Sequence, residues 1–268
     1  MSSQDENVRP GCPQCDGDAP STPYWDTPRF HRCTQCGLIF RSPFPDEATL
    51  CELYNNSWAS PDVNRTETGM TELRLAETYS KSLLRTIEAH DLSGKRVLDF
   101  GAGRGGMALA LRNCGAEVTA VDPFGRDYLQ SMGLAAYSDL DELPADLRFD
   151  GIVSLEVLEH LPAPGQTLAK VCRRLKPGAW VFVTTPNPEG LPATLFGDRW
   201  REAAKPGHIV FFTSESLRAL LEESGFSRVR RLRWLLRYPS ASFSRAVVHY
   251  AMQAALLDGS LRFLAFKD

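Results

Sequence analysis

Residues 97–106, Val-Leu-Asp-Phe-Gly-Ala-Gly-Arg-Gly-Gly, constrain the fold of this chain more than any other stretch. An apolar run ends in an acidic residue, Asp99, and passes through four closely spaced glycines. It then opens into residues 107–112, whose composition favours a helix. The pattern predicts a strand, a tight loop and a helix. Glycine is needed in such a loop because a Cβ would block both the sharp turn and the close approach of backbone N–H groups to a ligand. The exposed helix N-terminus favours a negative ligand group, so a nucleotide-like cofactor is expected on this loop.

Gly101-x-Gly103-x-x-Gly106 also satisfies the dinucleotide fingerprint, a weak signal when it stands alone. Three features favour S-adenosylmethionine instead. Asp99 stands two residues before the first glycine, where it can meet the ammonium of a methionine moiety. The motif lies well into the chain, and the segments after it do not form a second mononucleotide half. The stretch resembles the class I S-adenosylmethionine-dependent methyltransferases, whose first motif, acidic-x-Gly-x-Gly-x-Gly, is matched by Asp99, Gly101, Gly103 and Gly105. The resemblance implies an α/β fold, a doubly wound Rossmann-like sheet.

At 268 residues the chain can bury one full α/β core and still carry a small extra module. Hydrophobic residues at 43% and charged residues at 24% fit a soluble globular protein. No apolar run approaches bilayer-spanning length, and the first twenty residues lack the basic start and apolar core of a secretion signal. A cytoplasmic location and no membrane partner are expected. The formal charge of −3 argues against wholesale nucleic-acid binding. Seven cysteines without an export signal read as thiols, metal ligands or core residues rather than disulfides.

Four of them have metal-ligand spacing. Cys12-x2-Cys15 and Cys33-x2-Cys36 are separated by seventeen residues, and four thiolates match the tetrahedral preference of Zn²⁺. A structural zinc ribbon is expected over residues 1–45, its folding energy supplied by the metal because so short a segment has too few apolar residues. Its basic residues are only Arg9, Arg29, Arg32 and Arg41, so a packing or substrate-covering role is preferred over nucleic-acid binding. Cys51, Cys114 and Cys172 lack paired spacing and read as core or surface thiols. Residues 46–93 read as a helical connector or lid. A short helix is expected at 50–54 and an amphipathic one at 71–90, with Leu73, Ala76, Leu83, Leu84 and Ile87 on one face. Tyr54, Trp58 and Tyr79 are either pocket or packing aromatics.

The remaining residues, 94–268, read as the methyltransferase domain. A second strand over 116–122 ends in Asp122, whose carboxylate can accept both hydroxyls of a ribose or cap the next helix. After a short third strand, the resemblance assigns Asp139 and Leu140 to the adenine. A fourth strand over 149–155 places Leu155 beside the cofactor. A fifth over 179–185 is apolar throughout, as in a parallel sheet buried on both faces. A helix capped near Ser214 and stopped by Gly225 follows. A sixth strand is expected over 229–236 and a last over 260–266, which the family inserts antiparallel at the sheet edge. Between them, 242–257 reads as a helical insertion, a wall of the substrate pocket or a homodimer contact. The arginines around 228–237 read as a solvated face.

Methyl transfer is an in-line displacement in which the protein holds the acceptor, excludes water and, for a hydroxyl, removes a proton. Glu156, Glu159 and His160 stand at i, i+3 and i+4, which on a helix is one face, and His208 can return to the same crevice. Three uses stay open: a divalent metal set for Mg²⁺ or Mn²⁺, a general base at His160 or His208, or capping and packing. The run resembles both the small-RNA 3′-end 2′-O-methyltransferases, where such a set holds a metal, and the ubiquinone-type and sugar O-methyltransferases. Trp200, Arg201 and Lys205 are expected to line the acceptor side. The reading is a small-molecule O-methyltransferase acting on a secondary metabolite or sugar intermediate, with His160, His208 and Glu156 as its catalytic candidates. Its rivals are a metal-dependent RNA 2′-O-methyltransferase and a non-catalytic cofactor-binding protein whose ribbon contacts a partner. Intact Asp99, Gly101, Gly103 and Asp122 argue against the last.

Overall fold

A computed structural model describes residues 11–15, 20–46, 48–53, 66–234 and 243–268. Tyr54, Trp58, Arg9 and Arg237 lie outside the described residues. The chain opens with three short strands, β1 (Ser21–Tyr24), β2 (Thr27–Cys33) and β3 (Ile39–Arg41). Helix α1 (Thr66–Thr86) leads into alternating strands and helices: β4 (Arg96–Phe100), α2 (Gly106–Asn113), β5 (Glu117–Val121), α3 (Arg126–Ser131) and β6 (Ala135–Tyr137). Next come β7 (Phe149–Leu155), α4 (Pro164–Arg173), β8 (Leu175–Pro186), α5 (Leu191–Phe196) and α6 (Arg201–Ala204). The chain closes with β9 (Val210–Phe211), α7 (Ser214–Glu223), β10 (Phe226–Arg231), α8 (Phe243–Ala254) and β11 (Ser260–Lys267).

Seven strands form one sheet in the order β10-β11-β8-β7-β4-β5-β6. The pairs β4–β5, β4–β7, β5–β6 and β7–β8 are parallel, while β11 runs antiparallel to both β8 and β10. From β4 the sheet grows through β5 to β6 on one side, and the crossover after β6 returns to place β7 on the other side of β4. A crevice therefore opens beyond its carboxyl end, where the glycine loop begins. The apolar run of β8 is sealed on both faces, with Val181, Phe182 and Val183 fully buried. Helix α2 buries Met107, Ala108, Ala110 and Leu111 against a cluster that includes Tyr79 and Leu83 of α1. Met107 and Leu111 each contribute about 1.5–3 kcal/mol on burial, and the two alanines less. Among the described residues, no helix is long and apolar enough to cross a membrane.

Two expectations need correction. The last strand does not lie at the sheet edge: β11 is inserted between β8 and β10, and β10 is the edge. That edge strand covers 226–231 and starts three residues earlier than expected, because pairing with β11 continues across a bulge where Arg228 takes a positive φ of 48°; of the expected span 229–236, residues 235 and 236 lie outside the described residues. Helix α7 begins at Ser214 as expected, with Thr213 as its cap. Thr213 Oγ1 accepts the Ser216 N–H while the Ser216 hydroxyl accepts the Thr213 N–H.

A second, four-stranded sheet has the order β1-β2-β3-β9. Its last member comes from the far part of the chain, so the N-terminal strands are built onto the segment that follows His208.

Candidate active site

Beyond the carboxyl ends of β4, β7 and β8 lies a cavity of about 1360 Å³. The glycine loop and Asp99 line one end, Glu156, His160, His208 and the 192–205 segment line the other, and α8 supplies a wall through His249, Met252 and Gln253. The insertion expected over 242–257 thus reaches the pocket.

The glycines of the loop do different jobs. Gly101, Gly103 and Gly105 all have positive φ, at 76°, 53° and 77°. A Cβ on Gly101 would stand 2.2 Å from Val157 Cγ2, and one on Gly105 would stand 2.8 Å from Leu129 Cδ2, so both serve packing. A Cβ on Gly103 would meet nothing within 4 Å, and Gly103 lines the cavity. That bare backbone is a cradle.

Asp99, on β4 and 2% exposed, also lines the cavity, and its buried Oδ2 has no hydrogen-bond partner. Burial pushes its carboxyl up to about 7, against the pull of the Ala108 N–H and with the help of the Asp122 charge. A lone carboxylate oxygen in so dry a place fits a cationic ligand group such as an ammonium. Asp122 shapes the loop: Oδ2 accepts the Gly103 N–H at 2.8 Å, and Oδ1 accepts those of Phe124 and Gly125 at 3.0 and 2.7 Å. It is not among the lining residues, and of its four lone-pair sites one, on Oδ2, is left for a hydroxyl donor. Leu155 lines the cavity. Asp139, which caps a short turn by accepting the Asp141 N–H, and Leu140, buried in the core, do not.

The acidic run after β7 is not a helix. Glu156 has a positive φ of 55°, and only Leu158–His160 forms a 3-10 turn, so no helical face gathers Glu156, Glu159 and His160. Two neighbouring threonines of β8 sort the carboxyls instead. The Thr184 hydroxyl donates to Glu156 Oε1 at 2.9 Å and the Thr185 hydroxyl to Glu159 Oε2 at 3.0 Å. Successive strand residues point to opposite faces, so Glu156 is drawn to the cavity while Glu159 is sealed in the interior. Burial raises both carboxyls above their usual range.

His160 Nδ1 lies 2.8 Å from the Gly207 carbonyl, which can only accept. Nδ1 therefore carries the proton and Nε2 the lone pair, 4.0 Å from Glu159 Oε1. Its ring meets that of His208 edge to face, 4.7 Å between centroids. Burial holds both imidazoles below their ordinary value. His208 falls to about 2, helped by the charges of His160, Lys205, Arg41 and Arg201. Trp200, Arg201 and Lys205 line the cavity at the same end as His160 and His208. Glu202, which sequence reasoning missed, pairs with both Arg201 and Lys205. Those two cations outweigh its burial and hold its carboxyl down.

Glu159, His160 and His208 each bring a ligand atom within 4.8 Å of the others. They could hold a divalent ion, whereas Glu156 stands outside that group. The other such group among the described residues is Cys12, Cys15, Cys33 and Cys36. Sulfurs Cys12–Cys36 and Cys15–Cys33 lie 3.6 and 4.0 Å apart, and tetrahedral Zn–S bonds require about 3.8 Å. Gln35 and Cys36 N–H groups point at Cys33 Sγ, both at 3.4 Å. The four residues fit zinc.

Two further residues were missed. Asp258, just before β11, lines the cavity; its Oδ2 accepts from Arg262 at 2.7 Å and its buried Oδ1 has no partner. Arg41 of β3 reaches the loop before His208. The Arg41 contact joins distant parts of the chain, and no local spacing announces it, whereas Asp258 and Arg262 stand four residues apart.

A family described as a methyltransferase domain matches residues 72–230. That span holds the glycine loop, Glu156, His160 and His208 and leaves the four cysteines outside. The ubiquinone biosynthesis O-methyltransferases of Burkholderia lata and Burkholderia cenocepacia are each 34% identical over 122 residues, 41% of this chain and 52% of those proteins. The chain spans about half the length of the curated relatives it matches. Among solved structures, a complex of Burkholderia thailandensis 1,6-didemethyltoxoflavin-N1-methyltransferase with 1,6-didemethyltoxoflavin and S-adenosylhomocysteine aligns with a TM-score of 0.54 and 20% identity. The alignment covers 87% of this chain and 97% of that one. At that identity the likeness shows the fold.

Proposed function

The chain belongs to the methyltransferase-domain family, and from that membership we propose that it transfers the methyl group of S-adenosylmethionine to a hydroxyl of a small molecule, a secondary metabolite or sugar intermediate. One observation carries the reading. The unpartnered carboxylate oxygen of Asp99 and the bare wall at Gly103 occupy one end of a cavity whose other end presents the neutral imidazole of His160. The O-methyltransferase relatives support oxygen as the receiving atom.

In this reading Asp99 takes the ammonium of the methionine moiety, Gly101, Gly103 and Gly105 shape its seat, Leu155 forms a wall and Asp122 takes the ribose. The adenine assignment to Asp139 and Leu140 rests on the family resemblance. Bound S-adenosylmethionine supplies an electrophilic methyl carbon and its own leaving group. His160 accepts the acceptor's hydroxyl proton at Nε2, with Nδ1 anchored on Gly207. His208, uncharged and buried, holds the imidazole from its side, and Glu156 on Thr184 bounds the site. Residues 1–45 are assigned to a zinc ribbon on the four cysteines, 46–93 to a lid and 94–268 to the transferase domain.

A metal-assisted variant, with Mg²⁺ or Mn²⁺ on Glu159, His160 and His208, is favoured by the buried, unpartnered Oε1 of Glu159. It is the version that a 2′-hydroxyl of RNA would call for. Incubation with methyl-labelled S-adenosylmethionine and a panel of phenols, sugars and short RNAs, with and without Mn²⁺, separates these readings. Metal-independent transfer to a small hydroxyl supports the first. Transfer only to RNA, only with metal, replaces it with the second.

A further inference from the structure

The four-cysteine segment has so far been an appendage. Its last strand is not. β3 pairs antiparallel with β9, Ile39 opposite Phe211 and Phe40 opposite Val210, and the Arg41 N–H donates to the Ile209 carbonyl at 2.9 Å. From there the Arg41 side chain turns to the acceptor loop. Its Nη2 donates to the carbonyls of Ala203 at 2.9 Å and Lys205 at 3.0 Å, and lies 3.5 Å from that of His208. The guanidinium sits 4.9 Å from the centre of the Phe30 ring, and Phe30, Ile39, Trp200, Ala203 and Phe211 form one apolar cluster beneath it. Arg41 Nε is buried without a partner. A residue kept only to fill space would avoid that cost, and an apolar chain would fill it better.

The same loop is held from the core side by two further bonds. His160 Nδ1 donates to the Gly207 carbonyl, and the Ile209 N–H donates to that of Glu159 at 2.9 Å. The loop carrying His208 is therefore clamped between His160 and the cysteine module, and Arg41 is the side chain that closes the outer jaw.

We propose that Arg41 is a positioning residue for methyl transfer: reaching from the cysteine module, it fixes the 203–208 loop so that His208 and the Gly207 carbonyl set the His160 imidazole in the cavity. The inference rests on the methyl-transfer reading for its purpose, but its geometry is tested without an acceptor. Metal on the four cysteines fixes the strand that presents Arg41, so loading of the cysteine module and order of the acceptor loop are one linked event.

The test uses the full chain and the probe diethyl pyrocarbonate, which modifies accessible neutral imidazoles, read residue by residue by peptide mass spectrometry. His208 is 3% exposed and the exposed His90 serves as internal reference. In R41M, His208 modification is expected to rise about tenfold or more relative to His90, the change expected when bonds to a charged donor are lost from a local fold. In R41K, whose ammonium still donates to those carbonyls, the rise stays within about threefold. Zinc content and S-adenosylmethionine affinity are measured on the same samples. Unchanged protection of His208 in a metal-replete R41M overturns the proposal. Should R41M not fold, hydrogen exchange of wild-type residues 203–211 with and without chelation of the metal decides: loss of protection supports the link, and full protection overturns it. Absence of S-adenosylmethionine binding in the wild-type chain would sink the methyl-transfer reading and leave the loop result standing.

Discussion

Thr184 and Thr185, adjacent on β8, hold Glu156 and Glu159 on opposite sides of the strand, at 2.9 and 3.0 Å. Two carboxyls three residues apart therefore work in different surroundings, one on the cavity wall and one sealed in the core. In the proposed reaction the base is the imidazole of His160, whose Nε2 lies 4.0 Å from Glu159 Oε1. Replacing His160 with Gln lowers turnover by about 10²–10⁴-fold on any acceptor that the wild-type chain methylates, with S-adenosylmethionine affinity unchanged. Steady-state kinetics and calorimetry check the two halves. Equal loss of both would show that His160 serves the fold.

Two limbs separate in pH. Burial holds the His160 pKa below its ordinary value of about 6.5, so protonation removes its lone pair, and turnover at saturating cofactor falls, only below that pH. Asp99 works the other way. Burial raises it to about 7, and a protonated carboxyl attracts no ammonium, so S-adenosylmethionine affinity drops as pH falls through about 7, approaching tenfold per unit below it. Affinity measured by calorimetry from pH 8 to pH 5.5 shows this limb. In Asp99→Asn the limb is absent.

The strand, loop and helix around Asp99, the alternating order of β4 to β8 and the metal spacing of the cysteines were all legible in the sequence, because each is written in neighbouring residues. The gathering of Glu156, His160 and His208 was legible only in outline. The spacing points to a helical face, whereas Thr184, 28 residues on, holds Glu156 and the Gly207 carbonyl, 47 residues on, holds His160. Arg41 and Asp258 gave no signal, since strand pairing between residues 39–41 and 210–211 and the insertion of β11 beside β8 are tertiary choices.

Gly101 and Gly103 answer differently to alanine. Gly101→Ala drives a Cβ into Val157 and costs about 2 kcal/mol or more of stability. Gly103→Ala, with open space at its Cβ, costs about 1 kcal/mol for its positive φ and chiefly weakens S-adenosylmethionine binding. Thermal melts with and without cofactor distinguish the two. Equal destabilisation without a difference in affinity would remove Gly103 from the seat.

Native mass spectrometry is expected to find about one zinc per chain, and none in Cys33→Ser, because three thiolates leave the tetrahedral site open. The same variant melts at lower temperature, as β3 loses the support that presents it to β9. A wild-type chain that carries no zinc and melts unchanged with chelator would refute the ribbon.

Calorimetric titration of the purified chain with S-adenosylmethionine, alongside NAD and the Asp99→Ala variant, tests the central claim most directly. Saturable binding of S-adenosylmethionine at one site, absent in Asp99→Ala, with no response to NAD, is the predicted result. Binding of NAD in place of S-adenosylmethionine, or wild-type affinity in Asp99→Ala, would contradict it.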